Sequence, residues 1–331
     1  MNAIRSRRGL LPLVLTVTVF LGACGSSEPG EQGANGGPES SAVAPAGMTS
    51  AASESGAAAA AEAPQRIVAV TSDVAGIVLS LTGGDRVVAV PASLKSAPGP
   101  VAQAASAVEA TLPPGTDPEV EQVLALQPDL VIATTRHGGE KSLADQLATT
   151  GVRSLVIDPD DFTTPEGVAT VTRAIGAAVG MQAVAEEKAA QFEKDTARQQ
   201  ARAEGVGKHP RALALMSRGP QVMARDASLM LPGLIGRAGA DYAAARIGVT
   251  NTRPIDAEQP LAANPDVLFL EDFQGQGRAP FEELLKNPAV AEVPAIKNNQ
   301  VHVIAQSDAS GISGLNTAIG FGQIIYVIEQ S

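Results

Sequence analysis

A short helix–turn–strand segment occurs twice in this 331-residue chain, and its repetition restricts the fold. The first copy is residues 124–133, LALQPDLVIA, and the second is residues 261–270, LAANPDVLFL. Each copy combines the end of a helix, a Pro-Asp turn and an apolar run that predicts a buried strand. Such junctions recur in any α/β protein. The long helical region between the copies nevertheless favours two similar α/β lobes.

Short apolar runs alternate with helical patterns through most of the chain, which is typical of parallel strands joined by crossover helices. A ligand cleft is expected between the lobes, since α/β folds bind ligands beyond strand ends. The predicted strands are residues 67–70, 86–90, 128–133, 154–157, 211–216, 265–270 and 301–304.

The region between the two predicted lobes is rich in Ala, Glu, Gln, Lys and Arg, which are strong helix formers. It predicts a short helix followed by a long one from about Gln182. The sequence therefore divides into an N-terminal lobe over 65–163, a rigid linking helix over 164–205 and a C-terminal lobe over 206–331.

The N-terminus has the features of an export signal. Three arginines lie within the first eight residues, and residues 9–22 are apolar and uncharged. That stretch is shorter than the roughly 18 residues of a membrane-spanning helix. It ends in Leu21-Gly22-Ala23-Cys24, a bacterial lipobox. We expect residues 1–23 to be a signal peptide and Cys24 to carry a lipid; the alternative is an ordinary signal peptide followed by a chance cysteine.

Cys24 is the only cysteine, so no internal disulfide is possible. Residues 25–64 hold almost no large apolar side chain and predict a flexible tether after the lipidated Cys24. The formal net charge of -11 argues against a nucleic-acid partner. No nucleophile elbow, phosphate loop or His-Glu-x-x-His motif occurs, which argues against an enzyme, although acid pairs such as Asp160–Asp161 leave that class open.

Residues 65–331 resemble the periplasmic-binding proteins of the iron-chelate, haem and cobalamin ABC importers. The resemblance implies two α/β lobes joined by one rigid helix, and capture of a solute outside the cytoplasm for delivery to permease subunits. It is carried by the order and spacing of residues 66–70 (RIVAV), 84–90 (GDRVVAV), 123–133 (VLALQPDLVIA), 145–147 (DQL) and 151–152 (GV).

In this family a carboxylate on each lobe docks onto arginines of the permease. The resemblance assigns the C-lobe carboxylate to Glu258, although an acid at a helix N-terminus is also explained by the helix dipole. The N-lobe position aligns with Gly76, which is a departure; Asp73 could substitute one turn earlier. Docking is then asymmetric, or the protein is a sensor or storage lipoprotein without a transporter.

Haem-binding relatives imply iron ligation by His137, from the loop after a buried strand, together with Tyr242 from the other lobe. The alternatives are a solvated loop histidine and a packed or capping tyrosine. Imidazole is a common iron ligand, and no intrinsic cofactor is expected.

Arginines at the predicted cleft favour an anionic ligand, because guanidinium groups pair with carboxylate, catecholate and hydroxamate oxygens. The expected ligand is a ferric siderophore or haem. Cobalamin is the alternative that the scarcity of aromatic residues disfavours, and scattered histidines disfavour a bare metal ion. A monomer is expected. The further candidate ligand-binding residues are Ser72, Asp73, Arg136, Arg218 and Arg253.

Overall fold

The computed structural model describes residues 62–95, 100–113, 118–273 and 275–331. The predicted signal peptide, Cys24 and the tether up to residue 61 lie outside the described residues. Within the described part, no helix is both long enough and apolar enough to cross a membrane.

The first lobe is built on a five-stranded parallel sheet in the order β3-β2-β1-β4-β5. Its strands are β1 (Ile67–Ala69), β2 (Val87–Pro91), β3 (Ala110–Leu112), β4 (Leu130–Thr134) and β5 (Arg153–Ile157). Its helices are α1 (Ser72–Thr82), α2 (Ala92–Lys95), α3 (Pro100–Ser106), α4 (Val120–Ala125) and α5 (Gly138–Leu147).

Two helices lie between the sheets: α6 (Pro165–Ala178) and α7 (Gln182–Glu204). They pack very closely, since a Cβ atom at Gly176 would lie only 2.1 Å from the Cβ atom of Ala185. Gly180, with φ of 74°, forms the turn between them. The predicted short and long helices are therefore both present.

The second lobe has a six-stranded sheet in the order β11-β10-β6-β7-β9, with β8 beside β6. Its strands are β6 (Arg211–Arg218), β7 (Gln221–Ala224), β8 (Asp241–Tyr242), β9 (Arg253–Pro254), β10 (Val267–Asp272) and β11 (Val301–Ala305). Its helices are α8 (Met230–Arg237), α9 (Glu258–Ala263), α10 (Glu282–Leu285), α11 (Pro294–Lys297), α12 (Gln306–Ala309) and α13 (Thr317–Gln330).

The second sheet is mixed, which corrects the expectation of two parallel sheets. Strand β7 runs antiparallel to β6, and β9 runs antiparallel to β7. Only Gly219 and Pro220 separate β6 from β7. A two-residue loop can only return the chain in the opposite direction, because a parallel connection needs a dozen or more residues.

The two repeated segments form equivalent junctions. In each, the residue before the proline adopts a left-handed conformation, with φ of 50° at Gln127 and 46° at Asn264. The Asp129 carboxylate accepts the backbone N–H of Arg66 at 2.9 Å, and Asp266 likewise accepts that of Arg211 at 2.9 Å. Each aspartate thus fixes the start of the strand that pairs with its own, and the prediction of two similar lobes is confirmed.

One continuous group of buried apolar side chains extends across both sheets and the helices between them. It includes Ile67 and Ile132 of the first sheet, Ile175 and Phe192 of α6 and α7, and Phe269 of the second sheet. The two lobes therefore share one core, and each lobe also has a smaller buried group of its own, around Val131 in the first lobe and Leu213 in the second.

Candidate ligand-binding cleft

A cavity of about 710 Å³ opens between the two lobes. Its volume lies within the range of about 300–1,000 Å³ that is usual for small-molecule sites. The first lobe contributes two residues that follow β4, and the second lobe contributes residues that follow β6 and β10, as expected for a site at strand ends. Its polar and charged lining includes Arg136, His137, Ser217, Arg218, Arg225, Asp226, Glu271, Asp272 and Gln306.

A smaller cavity of about 260 Å³ lies on the first-lobe side. It shares Arg136, His137 and Phe273 with the large cavity, so the two spaces are contiguous. Ser72 and Asp73, from the first turn of α1, line its wall. The hydroxyl of Ser72 is 3.0 Å from that of Ser93.

Arg136 is held in place by a buried carboxylate. Its Nη2 atom donates to Asp73 Oδ2 at 3.0 Å. Burial raises the pKa of Asp73, and the charge of Arg136 opposes that shift. The guanidinium also lies about 3.5 Å from where a Cβ atom of Gly311 would be, so Arg136 reaches a segment of the second lobe.

His137 is held in place by Glu140, which lies in the first turn of α5. His137 Nδ1 is 2.9 Å from Glu140 Oε1, and Glu140 Oε2 accepts the Thr134 hydroxyl at 3.0 Å and the His137 backbone N–H at 3.3 Å. Glu140 is buried, whereas 42% of the His137 side chain is exposed. The imidazole is thus partly open to both cavities but anchored at one ring nitrogen.

The second-lobe wall contains a buried charge pair. Arg225 Nε lies 2.8 Å from Glu271 Oε2, and the Glu271 side chain is only 1% exposed. The pair is close enough for strong attraction, but these atoms lie outside hydrogen-bond geometry. Arg225 also donates from Nη1 to the Met216 sulfur at 3.0 Å. Burial raises the pKa of Glu271, and Arg225 opposes the shift.

Arg218 and Arg136 are the two exposed arginines that line the large cavity, and of the two only Arg136 is paired with a carboxylate. Among the described residues Arg218 forms no ion pair within 4 Å. A guanidinium in this state can pair with an anionic group of a ligand without first losing an internal partner.

Five of the predicted ligand-binding residues come together at these cavities: Ser72, Asp73, Arg136, His137 and Arg218. Tyr242 and Arg253 line neither. The Tyr242 hydroxyl donates to the backbone oxygen of Arg225 at 2.7 Å, and burial raises its pKa. Arg253 donates from Nη2 to the Ile247 oxygen at 2.8 Å. Within the described residues, no three or more His, Cys, Asp or Glu side chains gather as a metal site.

Sequence reasoning missed Arg225 and Met216 as lining residues. Arg225 follows β7. This strand has only four residues, and its apolar run is too short to predict a strand. Met216 lies inside β6, where it reads as core. Arg225 could have been predicted at the cleft only if Gly219 and Pro220 had been recognised as a hairpin turn, because that turn directs the chain back toward the cleft.

Glu258 is exposed at the first position of α9, where its backbone N–H donates to Asp256 Oδ1 at 2.8 Å. Gly76 lies within α1, and a Cβ atom there would be 3.9 Å from the backbone oxygen of Ile312. This position, which departs from the resemblance, therefore lies near a segment of the second lobe and, also at 3.9 Å, near Val101 of α3. The docking role of Glu258 stays a prediction.

The sequence of residues 67–307 matches the family model described as periplasmic binding protein. The chain belongs to this family. The matched range includes the eleven strands found among the described residues, the lining of the large cavity and, apart from Ile312, the lining of the small one, so the cleft lies almost wholly within the part that defines the family.

A curated relative agrees with this assignment. The chain is 27% identical over 208 residues to YhfQ of Bacillus subtilis (strain 168), whose name assigns it provisionally to the substrate-binding lipoproteins of ABC transporters. That alignment covers 56% of this chain and spans about three fifths, 59%, of the relative's length.

Two solved structures share the fold. The periplasmic haem-binding protein RhuT from Roseiflexus sp. RS-1 has a TM-score of 0.68 at 24% identity, covering 80% of this chain and 98% of that one. The periplasmic vitamin B12 binding protein BtuF of Vibrio cholerae has a TM-score of 0.65 at 18% identity, covering 81% and 97%. At these identities the likeness concerns the fold alone.

Proposed function

We propose that this protein is the extracytoplasmic, lipid-anchored solute-binding component of an ABC importer, and that it captures an iron chelate, with haem as the first candidate. The main support for an iron chelate as the ligand is the cavity of about 710 Å³, which His137 and Arg218 line from opposite lobes. Imidazole can bind iron, and arginine can pair with the anionic groups of a chelate.

The lining of the large cavity supports haem as a candidate. Met216, Met223 and Leu229 supply apolar surface for a flat macrocycle, and the arginines supply partners for its propionates. His137 supplies the axial nitrogen. Tyr242 was the expected second ligand, but its hydroxyl is engaged with the Arg225 oxygen and burial keeps it protonated. The proposal therefore rests on His137 alone as the iron ligand.

An anionic ferric siderophore is the second candidate, and it is favoured because Arg218 has no ion-pair partner in the part of the chain that the structure describes. A siderophore would use charge rather than an imidazole, so Arg136 and Arg218 would determine its affinity. The lipid anchor at Cys24 and the delivery to a permease through Glu258 belong to the same proposal. They are supported by the lipobox, by the family and by the exposure of Glu258.

The deciding experiment is an absorption titration of the purified full-length protein with haem. We expect a saturating Soret band that His137→Ala abolishes or shifts. His209→Ala is the matched control, because His209 bonds the Gly239 oxygen and lines neither cavity. Loss of the band in both variants would point to general damage, and an unchanged band in His137→Ala would remove His137 from the site.

A thermal-shift series with a ferric hydroxamate and with cobalamin accompanies the titration. A shift with the hydroxamate and no haem band, with the shift lost in Arg218→Ala, would move the proposal to the siderophore. A shift with cobalamin alone would refute the iron-chelate proposal.

A further inference from the structure

The buried side chain of Glu140 contacts both the ring and the backbone of His137. Glu140 receives three contacts: Thr134 Oγ1 at 3.0 Å, the His137 backbone N–H at 3.3 Å, and the His137 ring at Nδ1, 2.9 Å away. Its side chain is 7% exposed. The first two contacts are with donors and both fall on Oε2, which leaves Oε1 to face the imidazole.

The partner of Nδ1 decides the tautomer. A carboxylate oxygen only accepts hydrogen bonds, so Nδ1 must carry the ring proton to bond Oε1. In a neutral imidazole the other nitrogen, Nε2, then has a free lone pair. Within the described residues Nε2 forms no hydrogen bond, and the side chain lines both cavities. The same carboxylate–histidine arrangement orients metal-binding histidines in many proteins and makes them more basic.

We propose that Glu140 is a positioning residue that holds His137 in the Nδ1-protonated tautomer, so that the cleft selects an iron chelate with a vacant coordination position. Haem iron has such a position, whereas a ferric siderophore that fills all six positions does not. This inference rests on the proposed function, and it names the feature of the cargo that the first lobe recognises.

A purely structural role for Glu140 is the competing explanation, because it also caps the first turn of α5 at the His137 backbone N–H. Glu140→Gln separates the two roles. The amide oxygen can still accept from Thr134 and from the His137 N–H. The amide NH2 group then faces Nδ1, which must accept, so the ring proton moves to Nε2. The cap survives, but the lone pair on Nε2 is lost.

The first test needs no ligand. Long-range proton–nitrogen NMR on the ring-labelled full-length protein reports the tautomer of each histidine, and the chain has only three. We expect the unprotonated nitrogen of His137 to be Nε2 in the wild type and Nδ1 in Glu140→Gln, with His209 and His302 unchanged. An Nε2-protonated His137 in the wild type would overturn the proposal, whether or not the variant folds.

The second test is haem affinity. Replacing a residue that hydrogen-bonds a metal-binding histidine typically weakens metal affinity about 10- to 100-fold. We expect Glu140→Gln to lose haem affinity by that factor. Glu121→Gln, an exposed acid of α4 outside both cavities, is the matched control and should bind as the wild type does. Equal haem affinity in Glu140→Gln despite a changed tautomer would refute the selection of a vacant coordination position.

The two tests distinguish the two proposals. If the wild type binds no haem but shows the Nδ1-protonated tautomer, the proposed haem function fails while the role of Glu140 in holding the ring stands. If haem binds through His137 and neither tautomer nor affinity responds to Glu140→Gln, the proposed function stands and Glu140 is only a helix cap.

Discussion

Replacing Arg225 with methionine should destabilise the protein by an amount that depends on pH. The change keeps an unbranched chain as far as the Nε position but leaves Glu271, whose side chain is 1% exposed, without its cation 2.8 Å away. Breaking a buried pair from one side costs about 3–5 kcal/mol. Protonation limits that cost, because neutralising a carboxyl of ordinary pKa near 4.3 takes about 1.36 kcal/mol per pH unit, or about 3.7 kcal/mol at pH 7.

The direction of the pH dependence follows from the raised pKa of Glu271. A carboxyl whose pKa is higher in the folded state binds more protons folded than unfolded. Its contribution to stability is therefore complete at low pH and is lost as the pH rises through the folded pKa. Without Arg225 that pKa rises further. Because the pKa of Glu271 is already raised in the wild type, the deficit of Arg225→Met should stay below the limit of about 3.7 kcal/mol at pH 7 and below about 1 kcal/mol at pH 5.

Urea unfolding of the full-length protein at both pH values measures the deficit. At about 2–4 °C per kcal/mol, the pH 7 limit corresponds to a melting temperature lower by at most roughly 7–15 °C. The double variant Arg225→Met with Glu271→Gln should recover most of the loss, since no unpaired charge remains. Arg246→Met, which breaks an exposed pair with Asp241, should cost less than about 1 kcal/mol.

A deficit of equal size at pH 5 and pH 7 would refute this reasoning. It would mean that Glu271 is already neutral beside Arg225, and that the arginine contributes through packing against Met216 instead.

Three further predictions concern the anchor, the second lobe and the hinge. Cys24→Ser should release the protein from membranes, as fractionation would report, without altering ligand affinity; a collapse in affinity would contradict a separate anchor. Tyr242→Phe should leave the haem band unchanged while lowering stability by about 1 kcal/mol, the worth of one hydrogen bond; a lost band would restore Tyr242 as a ligand. Ligand should change the solution scattering profile only slightly, and compaction by many ångströms would count against a rigid helical link.

Strands with a continuous apolar run were predictable from sequence. β1, β4 and β10 are continuous apolar runs that follow a Pro-Asp turn or precede a helix, and each is fully buried along most of its length. The junctions at Asp129 and Asp266 were recognisable in the sequence as a repeat. In both, an aspartate accepts a hydrogen bond from a backbone N–H at the start of the neighbouring strand, so both need an aspartate at the same position. Local chemistry and tertiary position agree at these elements.

The rest depended on pairings between distant residues. β8 and β9 have two residues each and exist only because β6 and β7 offer them backbone partners. The direction of the Tyr242 side chain follows from that pairing, so a position in the cleft could not be decided from its neighbours in sequence. The first-lobe residues Arg136 and His137 were easier to predict, because they directly follow a strong strand and a strand end is where a ligand is expected.

The shared core has a consequence for how the protein melts. Because buried side chains from Ile67 to Phe269 form one continuous group through α6 and α7, neither lobe can lose its part of this shared core without exposing the other. Unfolding should therefore be a single cooperative transition despite the two sheets. A ligand that touches even one wall of the cleft would raise the melting temperature of the whole body, so one thermal probe anywhere in it reports occupancy of the site.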